Sequence, residues 1–295
     1  MKEFVLPSYA KINLSLHVVD KRDNMHELDM VNATISLCDE IKISFNDSDE
    51  INITFSERSI DEKNNTVLKA CQLVQEQFKF GANIFIQKNI PTEAGLGGGS
   101  GNAATVLSAL EKQFNLLSYG IDIFKIAKKI GSDVPSMLTT GYKRVQRTGE
   151  IVEKINSNLP LNLLLVKGKK GVSTRECFER LGVNEIASVA LCHSENNPDD
   201  NSSHSSYASL ISAIQENNIP LLIHSLTNDL TAPAISLVPE IADHLAILKK
   251  YGALISFMTG SGSCCVGIFK TQYLARQAEV EIKKTGLWTA VCITL

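Results

Sequence analysis

Five of the chain's 18 glycines fall within seven positions, Gly95 to Gly101, in "GLGGGSG". Glycines between a strand and a helix let backbone N–H groups converge on one point, because no Cβ blocks the approach. The helix that follows offers its first N–H groups and its positive dipole end to that point. The chemistry predicted is anion binding, phosphate above all. A lysine-ended phosphate loop is excluded, since "GGGSGN" contains no lysine. A dinucleotide fingerprint is excluded too, since counting from Gly95 or Gly97 puts Ser100 or Asn102 at the sixth position. A flexible linker is disfavoured by the strand before the run and the helix after it. Three further residue sets carry chemistry only in combination. Lys11 interrupts an apolar strand in "SYAKINLSL", where a lone lysine snorkels outward. Asp133 follows a helix end in "IGSDVPSML", where a lone aspartate caps or turns. "MTGSGSC", residues 258 to 264, is a small-residue turn and singly reads as a tight hairpin.

The elements that must position these residues are legible in outline. "KINLSLHVV" alternates, with Ile12, Leu14, Leu16 and Val18 on one side. "EIKISF", "EINITF" and "ANIFIQKNI" also read as strands. Val67, Leu68, Cys71, Val74 and Phe78 recur at helical spacing, as do Ala103, Leu107, Leu110 and Phe114 in a helix expected to begin near Asn102. A helix over "GIDIFKIAKKI" stops at Gly131. A boundary is expected near 155, where "SNLP" precedes the apolar strand "LNLLLVKG". Residues 193 to 206 are almost wholly polar and read as a mobile surface loop, followed by helices over 207 to 216, 219 to 228 and 239 to 251. A strand, a turn and a strand follow, then a helix over "TQYLARQAEVEIKKTG" and a closing strand, "WTAVCITL". Strands and helices in blocks predict an α+β chain of two domains, 1–155 and 156–295.

Composition narrows the function classes. With 295 residues, 44% hydrophobic and a net charge of -3, the chain can bury a sizeable core and carries no basic tail, so nucleic acid is a poor partner. No apolar run reaches membrane-spanning length, and no secretion signal is seen, so a cytoplasmic location is expected. Seven scattered cysteines without a CxxC pair read as reduced thiols. Structural or catalytic zinc is not expected. His17, His224, His244 and the Cys264–Cys265 pair read as packing or surface features. Lys143, Arg144 and Arg147 in "YKRVQRTGE" read as a solvated face, with contact to a phosphorylated substrate as the alternative.

Taken together, "AKINLSL", "PTEAGLGGGSGNAA", "GSDVP" and "MTGSGSC" resemble the GHMP kinases, the superfamily of galactose, homoserine, mevalonate and phosphomevalonate kinases. "HELD", "NNTVLKA", "IQKNIP", "GVSTRECF" and "NDLTAPAISLVPEI" extend the resemblance over nearly the whole chain. Within that superfamily it is narrower still, to the branch that phosphorylates a cytidyl diphosphate methylerythritol on its 2-hydroxyl in non-mevalonate isoprenoid synthesis. The resemblance implies a two-domain fold with a ferredoxin-like C-terminal domain, with ATP as phosphoryl donor and Mg²⁺ as its ion; the ion's ligands are not legible, Ser100 being one candidate. It implies Lys11 and Asp133 as catalytic residues, and Asn65, Lys88, Pro91, Gly95, Leu96, Gly97, Gly98, Gly99, Ser100 and Gly101 as ATP contacts. It implies Asn13, Met25, His26 and Phe178 on the substrate side. If Lys11 lies beside Asp133, the cation favours the charged carboxylate. Departures from the family cluster on the substrate side. Met25 stands where the family has the tyrosine that flanks cytosine, Gly101 removes one hydroxyl near the phosphates, and "YKRVQRTGE" is unusually basic. Alternatives are a GHMP-type kinase of another small alcohol and a nucleotide-binding paralogue without activity.

Overall fold

A computed structural model describes residues 3–22, 25–46, 48–57, 59–181 and 202–295. Two long strands, β1 (Glu3–Arg22) and β2 (Met25–Asn46), replace the several shorter ones expected. They are the reason the chain does not divide at one point near 155. One compact unit comprises Met1–Lys11, Ser36–Thr92 and Gly97–Thr140; the other comprises Ile12–Ile35, Glu93–Leu96 and Gly141–Leu295. Both β1 and β2 contribute a part to each.

In the first unit, β3 (Ile51–Phe55) pairs parallel with β4 (Gly81–Gln87), and β4 pairs antiparallel with Glu40–Asn46 of β2. Helices α1 (Thr66–Gln75), α2 (Gly98–Phe114) and α3 (Ile123–Ile130) bury their apolar stripes with these strands. Ile41, Ile43, Ile84 and Ile86 meet Val67, Cys71, Val74, Ala103, Leu107 and Leu110 in that core. The helical spacing seen in the sequence is thus the buried face. Asn65 caps α1 by accepting the Leu68 N–H at 2.9 Å, and Asp122 caps α3 through the Phe124 N–H. Gly131 ends α3 as expected, and a short turn of helix, α4 (Val134–Met137), follows. The start of α2 differs from expectation. It begins at Gly98, four residues before Asn102, so the last glycines of the run form its first turn.

In the second unit, Leu28–Ala33 of β2 pairs antiparallel with β5 (Tyr142–Arg147), which pairs with β6 (Ile151–Ile155). Ser15 and Leu16 of β1 pair parallel with β8 (Thr227–Asn228). A separate antiparallel sheet holds β7 (Asn162–Lys167), β9 (Ile255–Met258), β10 (Cys265–Phe269) and β11 (Trp288–Ile293) in the order β11-β7-β10-β9. Taken in chain order this is fourth, first, third, second, the strand arrangement of the ferredoxin-like fold. Its helices are α5 (Thr174–Arg180), α6 (Ser202–Gln215), α7 (Ile219–His224), α8 (Thr231–Leu237), α9 (Glu240–Lys250) and α10 (Gln272–Lys283). Residues 193–201 of the expected polar loop lie outside the described residues, and from Ser202 onward the chain is helix rather than loop. The helix expected to reach 228 ends at His224, because Thr227 and Asn228 join β1 instead.

The basic stretch of β5 is a correction. Only Arg147 is exposed. Lys143 is 1% exposed, with Nζ 3.2 Å from Thr34 Oγ1, and burial pushes its pKa down to about 8. Arg144 grips buried Asp29 with two bonds of 3.0 and 2.6 Å and lies 5.4 Å from the Tyr207 ring centroid. The histidines and cysteines fall as expected. His17 bonds Thr227 at 2.8 Å, His224 bonds the Pro220 carbonyl, and the six described cysteines are free thiols. No described helix is long and apolar enough to cross a membrane.

Candidate functional site

Gly97 is the N-cap of α2 and holds φ 70° and ψ 18°, the left-handed region that favours glycine. The first bond of the helix runs from the Gly101 N–H to the Gly97 carbonyl at 2.8 Å. Gly98, Gly99 and Ser100 therefore have no carbonyl four residues back within α2 to receive their N–H groups. Those three donors and the dipole of a 17-residue helix suit the first turn to an anion.

Lys11 lies against this turn. A Cβ at Gly97 would sit 3.1 Å from Lys11 Cγ and 3.2 Å from Cε, so glycine leaves room for the lysine stem. The stem is buried, at 5% side-chain exposure, and carries the ammonium to 3.6 Å from Asp133 Oδ2. Asp133 occupies the N-cap position of α4 but its side chain makes no capping bond. The carboxylate is turned instead toward Lys11 and is 32% exposed. The two residues singled out from far apart in the sequence thus meet at the start of α2.

Asn65 and its neighbours lie on the same unit. Thr66 Oγ1 donates to the Gly99 carbonyl at 2.7 Å, which ties the start of α1 to the first turn of α2. A groove of about 400 Å³ is lined by Lys63, Asn64, Asn65, Thr66, Leu68, Lys69 and Gln72. The Lys88 ammonium lies 3.3 Å from where a Gly98 Cβ would be and pairs with Asp39, a buried carboxylate that motif reading did not single out. Pro91 is half-buried at the entry to the glycine run.

The other predicted residues belong to the second unit. Asn13 is buried; its backbone N–H donates to Thr259 Oγ1 at 2.9 Å and its amide to Asn32 Oδ1 at 2.7 Å. Gly95 has φ 72°, and any Cβ there would run into the Thr259 carbonyl, so this glycine is required by close approach to the turn that opens "TGSGS". Leu96 is buried beside it in sequence. His26 and Phe178 are stacked, with ring centroids 4.5 Å apart and planes 16° from parallel. Burial, with the charge of Lys21 second, lowers the His26 pKa. The side chain of Met25 lies outside the described part of the structure. Among the described residues no group of three or more His, Cys, Asp or Glu could hold a metal ion.

The model of the GHMP kinases N terminal domain matches residues 65–141, and that of the GHMP kinases C terminal matches residues 210–286. The 4-diphosphocytidyl-2-C-methyl-D-erythritol kinase of Caldicellulosiruptor saccharolyticus is 36% identical over 98% of this chain and 97% of its own. That of Acetivibrio thermocellus is 36% identical over 97% and 96%. A crystal structure of 4-(cytidine 5'-diphospho)-2C-methyl-D-erythritol kinase matches with a TM-score of 0.77 at 24% identity, over 99% of each chain, a likeness of fold. On identity sustained over nearly its full length, the chain belongs to the 4-diphosphocytidyl-2-C-methyl-D-erythritol kinase family of the GHMP kinases.

Proposed function

We propose that this chain transfers the γ-phosphoryl group of ATP to the 2-hydroxyl of 4-diphosphocytidyl-2-C-methyl-D-erythritol. The observation that carries the reading is the Lys11–Asp133 pair at the glycine-built start of α2. Gly95 to Gly101 cradle the ATP phosphates by backbone N–H groups, with Leu96 and Pro91 shaping the entry. Asn65 and its groove take the adenine. Lys88 sits behind the first helical turn rather than beside that groove.

Phosphoryl transfer proceeds through a loose transition state, so positioning and charge stabilisation dominate. Asp133 orients the 2-hydroxyl and accepts its proton as the bond from oxygen to the γ-phosphorus forms. The bond from that phosphorus to the β–γ bridging oxygen breaks, and its electron pair leaves with ADP. Lys11 holds Asp133 and offsets negative charge near the transferred group. Mg²⁺, when bound with ATP, neutralises phosphate charge. The donor set suits an ion that keeps water and phosphate ligands, since the described residues offer no protein cage. Ser100 is the hydroxyl nearest in sequence to the loop's donors.

On the substrate side, Met25, His26 and Phe178 meet the cytidyl group, and Asn13 contacts the substrate from the strand of Lys11. In the described arrangement His26 covers a face of Phe178 at 4.5 Å. A base stacking on that face must displace the imidazole, since a ring between them needs about twice that gap, given stacking separations of ~4.5 Å or more between centroids. The test is ATP with a panel of alcohols, scored by ADP release. Turnover on the cytidyl substrate is expected. Turnover confined to galactose, homoserine or mevalonate would reassign the chain to another alcohol, and nucleotide binding without turnover on any of them would make it a binding protein.

A further inference from the structure

Asp39 of β2 is fully buried, at 0% exposure, and no step of the reaction above uses it. Its Oδ1 accepts the backbone N–H groups of Asn89 at 2.7 Å and Ile90 at 2.8 Å. Its Oδ2 accepts the side-chain amide of Asn102 at 3.0 Å and pairs with the Lys88 ammonium. A carboxylate has about four acceptor positions, and all four are used here. The donors come from two places in the chain. Lys88, Asn89 and Ile90 lead into the glycine run, and Asn102 is the fifth residue of α2, immediately after it. One buried carboxylate therefore ties residues on both sides of the segment 91–101. The Asn102 Oδ1 has no hydrogen-bond partner although it is buried. The bond from its Nδ2 to Asp39 orients that amide even though its oxygen is left without a partner.

We propose that Asp39 is a positioning residue for nucleotide binding, a clamp that presets the glycine loop before ATP arrives, with Lys88 as its counter-ion. The inference rests on reading Gly95 to Gly101 as the ATP loop. Backbone donors aimed at phosphate lose affinity when the segment carrying them must be ordered during binding. Fixing the entry and the exit of a short loop removes most of that ordering. Lys88, held behind Gly98, acts through Asp39 by keeping the buried carboxylate compensated.

The test uses the full chain, with ATP and the cytidyl substrate varied in turn, and ADP affinity measured by calorimetry. Asp39→Asn is expected to raise the KM for ATP by roughly 10- to 100-fold, the scale of a loop displaced by about 1 Å. The KM for the cytidyl substrate is expected to stay within about twofold, since that side of the site keeps its contacts. Asn102→Ala keeps three of the four donors and is expected to raise the KM for ATP by roughly 3- to 10-fold, since the bond lost fixes the loop without touching ATP and its effect reaches the nucleotide only in part. It carries the test alone if Asp39→Asn does not fold. A folded Asn102→Ala variant that melts earlier but binds ATP and ADP as the wild type does would make Asp39 structural only and overturn the proposal. So would equal rises in both KM values. A wild-type chain that takes up no ADP would remove the ATP-loop reading itself, and the clamp with it.

Discussion

The contact between Gly97 and Lys11 predicts that one methyl group uncouples catalysis from folding. In Gly97→Ala two effects arise. The residue keeps a left-handed backbone, φ 70°, which costs an L-residue ~1–2 kcal/mol of stability. Its Cβ also lands 3.1 Å from Lys11 Cγ and 3.2 Å from Cε. Carbon atoms rest about 3.5–4.0 Å apart, so the lysine stem must retreat by roughly 0.4–0.9 Å, the difference from 3.1 Å. Both ends of the stem are touched, so it cannot pivot about one of them, and the ammonium moves with it relative to Asp133. A misplacement approaching 1 Å costs about 10²-fold, so kcat is expected to fall roughly 10- to 100-fold, or about 1.4–2.7 kcal/mol of barrier. Gly120→Ala is the control. Its φ is 78°, and a Cβ there meets nothing within 4 Å. It carries the same backbone strain and should leave kcat unchanged. Thermal denaturation of both variants, with ADP release at saturating substrates, separates the two effects. A Gly97→Ala enzyme within about twofold of wild-type kcat would refute the reasoning, since a 10-fold loss is the least that displacement allows. So would a Gly120→Ala enzyme that slows as much.

Other outcomes follow from the same geometry. Asp133→Asn should lower kcat roughly 10²–10⁴-fold, the range for a positioned acid–base group, with ADP affinity retained; near-normal turnover would remove Asp133 from the reaction. Met25→Tyr should lower the KM for the cytidyl substrate by up to about tenfold, since aromatic stacking on a base gives ~1–3 kcal/mol against ~0.3–1.5 for a methionine contact, and about 1.4 kcal/mol is tenfold. An unchanged KM would show that residue 25 does not meet the base. Lys143 titrates near 10.5 when unfolded and at about 8 when folded. Between those values the unfolded chain binds more protons, so stability should rise with pH from about 8 to about 10.5, by up to roughly 1 kcal/mol per pH unit. Urea denaturation of Lys143→Met should lack that rise, and an identical pH profile in the variant would place the titration elsewhere.

The sequence and the structure agree most closely where a residue's role is local. The strand–glycine–helix order around Gly95 to Gly101 is written in adjacent residues, and so is the helix stop at Gly131. Lys11 and Asp133 were legible only as members of a motif set, since each alone is an ordinary strand lysine or turn aspartate. Asp39 was missed because "LCDEI" has no feature that marks it, and its partners lie 49 to 63 positions away. The charges of β5 were misread for a related reason. Arg144 answers Asp29 across 115 positions, and strand alternation cannot distinguish a buried ion pair from a solvated one. The expected helix start at Asn102 fell one turn late because glycine is a poor helix former by propensity, while here Thr66 holds the turn through the Gly99 carbonyl.

The bond from Thr66 to the Gly99 carbonyl sets the beginnings of two helices side by side. Each beginning is the positive pole of its own dipole, and like poles held together repel. A polyanion lodged there screens both at once, so capture is favoured twice over. On the proposed reading of this turn as the ATP loop, the same attraction that draws ATP in also holds ADP, which still carries two phosphates.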